Sequence, residues 1–260
     1  MNAQPSAGHY AKINGLDIYY ELHGSGQPLV LLHGGGSTIE SNYGRILPVL
    51  AKHFKVIAVE LQAHGHTKDR GTPLSFEQDA DDVAALLKHL NIGKASVMGF
   101  SNGGTTTLQF GIRHPQMADK LVVASAIYNR AGVIKGFFDG FEGAKLEWMP
   151  KPLAEAYLKA NNDPKGLQTM FDRDVERMKG FKDIPDALIK GIQSPVLVIS
   201  GDKDVATTEH AVTLSRLLPG ARLAILPSGH GDYIGEICAE KQDESLRALV
   251  TALIVDYLQK

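Results

Sequence analysis

The chain has 260 residues, 43% of them hydrophobic and 22% charged, with a formal net charge of −2, enough for one α/β domain with an insertion or for two small domains. The near-neutral charge and the lack of a long basic run argue against nucleic acid as a partner. A single cysteine, Cys238, excludes an intramolecular disulfide and a cysteine metal cluster, and no stretch approaches the ~18 apolar residues of a membrane span.

The opening MNAQPSAGHYAKING has no apolar core, so it does not read as a signal peptide, and a cytoplasmic location is expected. Apolar and polar residues then alternate around Asn14-Gly15, a strong hairpin-turn pair. Gly24-Ser25-Gly26 is followed by Gln27-Pro28 and another strand rather than a helix, so it is not a dinucleotide fingerprint. Residues 29–32 form a continuous apolar run, the mark of a strand buried on both faces. Residues 43–53 have weak helical character, and 56–61 (VIAVEL) read as the next buried strand. Ser75 and Gln78 suggest a capping box opening a helix through DADDVAALLKHL.

ASVMGF is the next strand, with a helix from Gly103 that His114-Pro115 ends, and LVVASA (121–126) is a further strand. This alternation predicts a mostly parallel sheet flanked by helices. It breaks over 127–191, where weakly periodic helical pieces contain the only tryptophan, Trp148. That segment is read as an inserted helical cap, with 1–126 and 192–260 as the core domain. A strand over 195–200, the loop GDKD, a helix over 209–218, a strand over 221–226, the loop PSGHGD and a final helix complete the chain.

Four loops carry chemistry. Gly99-Phe100-Ser101-Asn102-Gly103 fits G-x-S-x-G between a strand and a helix. A nucleophile elbow needs glycines there, because the serine occupies a tight strained turn and a flanking Cβ would clash. His33-Gly34-Gly35-Gly36 follows a buried strand; its glycines allow amides to face a developing oxyanion, and the lack of a G-K-[ST] ending excludes a phosphate loop. His33 itself reads as a structural hydrogen-bonding residue. His230, between two glycines after the last strand, is a candidate base. Asp204 is preferred as its carboxylate partner, with Asp202, nearer the strand end, as the alternative. His64 and His66 are spaced like metal ligands, but no carboxylate or cysteine pattern completes a site. They read as structural, and Cys238 reads as a small packing residue.

HGGG, GFSNGG, GDKD and SGHG, each after a strand and in this order, resemble the α/β-hydrolase family over nearly the whole chain. The cap is the part least covered. Where many relatives carry Asp-x-Arg-Gly-x-Gly, this chain has Glu60-Leu61-Gln62-Ala63-His64-Gly65-His66. The resemblance implies an α/β-hydrolase fold, Ser101 as nucleophile, His230 as base and Asp204 as acid. It implies an oxyanion hole from the amides of Gly35 and Asn102, with Gly36 as the alternative to Gly35. It implies no cofactor and no metal, and a small-molecule substrate. Three functions follow: an ester or lactone hydrolase with an acyl-enzyme on Ser101, a C–C bond hydrolase or perhydrolase, and a small-molecule receptor that retains the triad. Phe137, Phe138, Phe141, Trp148 and Met149 supply an apolar pocket wall, part of which must instead pack within the cap.

Overall fold

The computed structural model describes residues 8–260; the first seven residues of the N-terminal segment read above lie outside the described residues. Eight strands form one sheet in the order β1-β2-β4-β3-β5-β6-β7-β8. β1 (His9–Ile13) and β2 (Leu16–His23) make an antiparallel hairpin in which Ile13 faces Leu16. The two turn residues, Asn14 and Gly15, both have left-handed φ, as the sequence pair predicts. β2 runs antiparallel to β4 (Lys55–Val59). All further pairings are parallel: β3 (Pro28–Leu32) lies between β4 and β5 (Ala95–Phe100), and β6 (Ala118–Ala124), β7 (Val196–Gly201) and β8 (Arg222–Leu226) follow.

The apolar strand runs split by alternate residues onto the two faces of the sheet. Val30, Leu32, Ile57, Val59, Val97 and Val123 face one layer of helices. That layer comprises α3 (Phe76–His89), α4 (Asn102–Arg113) and α8 (Thr208–Leu217). Leu29, Leu31, Val56, Met98, Val122 and Ile199 face the other. There the cover is α1 (Ile39–Tyr43), α2 (Leu47–Leu50) and the final helix α9 (Glu244–Gln259). Both faces are dry, which is why these strands read as unbroken apolar runs.

Several boundaries move for physical reasons. The weak helix over 43–53 resolves into α1 and α2, separated by Gly44-Arg45-Ile46. Ser75 caps α3 by accepting from the Gln78 amide at 3.1 Å, but the Gln78 side chain donates to Asp82 instead of closing a capping box. β4 stops before Glu60, whose buried carboxylate accepts from His66 and from the Ile39 amide. β6 ends at Ala124 rather than Ala126, because Ser125 turns out of the sheet with φ of 50°.

Between β6 and β7 come three short 3-10 turns and three helices: α5 (Lys151–Asn161), α6 (Pro164–Lys179) and α7 (Asp186–Lys190). The flanks of this insertion, Tyr128 at one end and Ile184, Ile189 and Ile192 at the other, pack into the core below the sheet. α5 and α6 form the part that covers the carboxyl ends of the strands, with Tyr157, Leu167 and Met170 packed on Ala63 of the core. Among the described residues no helix is long and apolar enough to cross a membrane.

Candidate active site

Ser101 sits between β5 and α4 with φ of 54° and ψ of −121°, a combination that L-residues adopt only when the surroundings enforce it. The enforcement comes from close backbone packing. A Cβ on Gly99 would lie 2.0 Å from the Gly103 carbonyl oxygen, and one on Gly103 would lie 2.1 Å from the Leu32 carbonyl oxygen. These distances explain both glycines of the G-x-S-x-G pattern, and they hold the start of α4 against the end of β3. Gly99→Ala is therefore expected to cost about 3 kcal/mol or more of stability, measured by urea unfolding, because backbone atoms rather than a flexible side chain must yield.

Parallel order brings the loops after β3, β5, β7 and β8 to one edge of the sheet. Asp204, in the loop after β7, is buried, and its Oδ1 lies 2.6 Å from His230 Nδ1. An ionised carboxylate only accepts, so Nδ1 carries the proton and Nε2 of the neutral ring is the basic nitrogen. The imidazole packs on the Phe100 ring at a centroid distance of 4.7 Å, beside the serine. Ser101 and His230 are not hydrogen-bonded to one another; the hydrogen bond that orients the imidazole is the one to Asp204.

The other carboxylate oxygen of Asp204 accepts from Ser125 Oγ and from the Gly201 amide at 3.3 Å. With the Ser125 proton committed to Asp204, Tyr233 donates its hydroxyl to Ser125 at 2.6 Å. Burial pushes the Asp204 carboxyl up, but the hydrogen bond and charge of His230, with Ser125 and the Gly201 amide, leave it below the ordinary carboxylate range. Asp202 is exposed and accepts from the Ser228 amide at 2.9 Å. The structure thus brings Asp204 to the imidazole and leaves Asp202 as a turn cap. Ser125 and Tyr233 were not singled out from sequence; the one available signal was a polar residue inside the buried run LVVASA.

Of the three glycine amides after β3, that of Gly34 donates to Asn42 Oδ1 at 2.7 Å and that of Gly36 to Asp174 Oδ2 at 2.7 Å. Among the described residues the Gly35 amide is the one left uncommitted. Gly35, Gly36, Ser101 and Asn102 share one cavity of about 300 Å³. The segment between β6 and β7 walls it with Phe137, Phe141, Trp148, Met149, Leu153 and Phe171. Phe138 is not on that wall; it packs on Phe181 and under the Arg130 guanidinium. A larger groove of about 920 Å³ lies between α1 and α5, is lined by Glu40, Arg45, Glu155 and Lys159 among others, and does not include Ser101.

The three histidines near the HGGG loop, His33, His64 and His66, hydrogen-bond to separate partners. His33 is buried, donates from Nδ1 to the Gly34 carbonyl at 2.8 Å and accepts the Leu61 amide on Nε2 at 3.0 Å. Burial and the neighbouring His64 charge pull it down to about 3, so it stays neutral and ties β3 to the loop after β4. His66 stacks on Tyr19 and pairs with Glu60 at 2.8 Å, whereas His64 turns inward to Asp174 at 3.0 Å. Cys238 lies in the loop before α9, half-buried, its thiol pushed up to about 11 by burial and by Glu236.

Comparison with known proteins agrees with this architecture. The family model described as "alpha/beta hydrolase fold" matches residues 27–183. The human protein "serine hydrolase BPHL" is 30% identical over 231 residues, covering 84% of this chain and 77% of that protein. A Pseudomonas putida "2-hydroxy-6-oxo-2,4-heptadienoate hydrolase" is 25% identical, covering 86% of this chain and 89% of that protein. The crystal structure of the enol-lactonase from Burkholderia xenovorans LB400 superposes with a TM-score of 0.75 at 23% identity, covering 96% of this chain and 100% of that one. Matched by the family model over more than half its length, and by a 30%-identical relative over 84% of it, the chain belongs to the alpha/beta hydrolase fold family, as a hydrolase.

Proposed function

We propose that the chain hydrolyses small uncharged carboxylic esters or lactones through an acyl-enzyme on Ser101. The observation that carries this reading is the 2.6 Å contact between His230 Nδ1 and buried Asp204, set beside a serine at a strained elbow. In the forward step the Ser101 oxygen attacks the substrate carbonyl carbon while His230 Nε2 takes the serine proton. The carbonyl π electrons move to oxygen, and that oxyanion is met by the amides of Gly35 and Asn102. The tetrahedral centre then collapses, expelling the alkoxide, which leaves as an alcohol with the proton held by His230. Water, deprotonated by His230, attacks the acyl-enzyme; the second collapse releases the acid and returns the proton to Ser101. Asp204 holds the imidazole tautomer and offsets its transient positive charge.

Substrate charge favours this reading over C–C cleavage of an anionic dienoate, the kind of compound named for the Pseudomonas putida relative. Among the described residues lining the cavity there is no Lys or Arg, and the one ionisable side chain is Asp174. A substrate carboxylate buried there would have no cationic partner, and leaving a charge unpaired is costly. A neutral p-nitrophenyl ester is expected to show a kcat/KM at least about 100-fold above that of a matched ester carrying a terminal carboxylate. Equal rates, or preference for the anion, would turn the reading toward the dienoate hydrolase. Binding without turnover of the neutral ester would turn it toward a receptor.

A further inference from the structure

The cap sends one carboxylate into the site. Asp174, on α6, lines the cavity with Ser101, and its Oδ2 accepts the Gly36 amide at 2.7 Å across 138 residues of sequence. The same oxygen lies 3.0 Å from His64 Nε2, and Oδ1 accepts from Arg177 at 2.5 Å. Arg177 in turn donates to Asp79 of α3 at 2.9 Å. The Gly36 nitrogen also lies 3.2 Å from His64 Nε2, but the shorter, charge-assisted contact to the carboxylate takes its proton.

We propose that Asp174 is a positioning residue for the oxyanion loop: by holding the Gly36 amide it fixes the direction of the neighbouring Gly35 amide toward Ser101.

Three consecutive glycines have no side chains to hold a turn, and Gly36 has a φ of 68°. The loop is instead held from outside, on both sides of Gly35. The core supplies Asn42 to the Gly34 amide, and the cap supplies Asp174 to the Gly36 amide. Clamping both flanking peptides leaves the Gly35 N–H one direction. A bare carboxylate so close to a developing oxyanion would oppose it. His64 and Arg177 remove that opposition by pairing with it. His64 donates to the Gln62 carbonyl through Nδ1 at 2.8 Å and to Asp174 through Nε2, so both nitrogens carry protons. Burial alone would lower His64, but Asp174 raises it above its usual value; those same cationic partners hold Asp174 well below the carboxylate range despite its burial. The buried imidazole of His64, read from sequence as structural, thus acts as the counter-charge of a cap carboxylate. Because that carboxylate belongs to α6, the oxyanion loop is set only with α6 seated on the core.

This proposal rests on Ser101 as the nucleophile, and its test separates the two. Native enzyme, Asp174→Ala and Asp174→Asn are assayed on a neutral p-nitrophenyl ester and titrated with an acyl-chain trifluoromethyl ketone, whose hemiketal with the serine mimics the tetrahedral state. Asp174→Ala is expected to lower kcat about 10- to 100-fold and weaken the ketone by a similar factor, with KM changed less than about twofold. Asp174→Asn keeps a carbonyl acceptor for Gly36 but loses the ion pair with Arg177. It should therefore lose as much melting temperature as the alanine variant, while its kcat stays within about threefold of native. A purely structural Asp174 would lower both melting temperatures and leave kcat and ketone affinity native in both variants, which overturns the proposal. An asparagine variant as slow as alanine also overturns it. If the alanine variant does not fold, Asp174→Ser, whose shorter side chain does not reach the Gly36 amide, takes its place with the same expected losses and the same overturning result, and a freely exchanging Gly36 amide in the native enzyme also contradicts the proposal. Native enzyme that neither turns over the ester nor binds the ketone refutes the Ser101 reading instead.

Discussion

Ser101→Ala is expected to lower kcat on a neutral p-nitrophenyl ester by about 10⁴- to 10⁶-fold, with a melting temperature close to native. The loss is large because, among the described residues lining the cavity, Ser101 carries the one hydroxyl or thiol; Cys238 is half-buried in the loop before α9, with its thiol pushed up to about 11. What remains is the contribution of substrate binding and of the amides at Gly35 and Asn102. The fold is spared because the elbow is shaped by backbone packing at Gly99 and Gly103, not by the serine hydroxyl. A variant retaining a tenth of native turnover would remove Ser101 from the mechanism.

Asp204→Asn is expected to lower kcat by about 10³- to 10⁴-fold, and Asp202→Asn by less than about threefold. The asymmetry follows from the hydrogen bonds. An asparagine amide facing His230 Nδ1 can donate as well as accept, so it no longer dictates the tautomer that leaves Nε2 basic. It also lacks the negative charge that offsets the imidazolium. Asp202 is exposed and holds only the Ser228 amide, so its amide analogue keeps an acceptor there. Steady-state rates of the two variants side by side check the ranking, and a larger loss in Asp202→Asn would move the acid to Asp202. Ser125 and Tyr233 back Asp204 from behind, so Asp204→Asn should lose stability as well as rate.

The legible parts of the chain were those where one residue type has one physical use. Buried runs such as LVLL and SVM can lie only in the middle of a two-sided sheet, and Asn14-Gly15 can only turn tightly. The elbow was legible because strand, Gly-x-Ser-x-Gly and helix must coincide for a Cβ-free approach of β5, α4 and β3. Asp204 against Asp202 was partly legible: the two differ by two positions in one loop, and only the three-dimensional course of GDKD puts one on the imidazole. The cap contribution was not legible. In FDRDVERMKG the carboxylate of Asp174 looks like its neighbours on a solvated helix face. Nothing local marks it as the residue that meets Gly36 across 138 positions. His64 was equally opaque, since its partner lies 110 residues away on a segment whose periodicity is weak. The aromatic set divided for the same reason: Phe137, Phe141, Trp148 and Met149 reach the cavity while Phe138 turns into the cap, and no sequence period separates Phe137 from Phe138.

The central claim, a serine acyl-enzyme at residue 101, is tested most directly by intact mass after reaction with a fluorophosphonate. The native chain is expected to gain the mass of one phosphonyl group, mapped to Ser101 by peptide sequencing, and Ser101→Ala is expected to gain none. A label on another residue, or undiminished labelling of Ser101→Ala, would contradict the account.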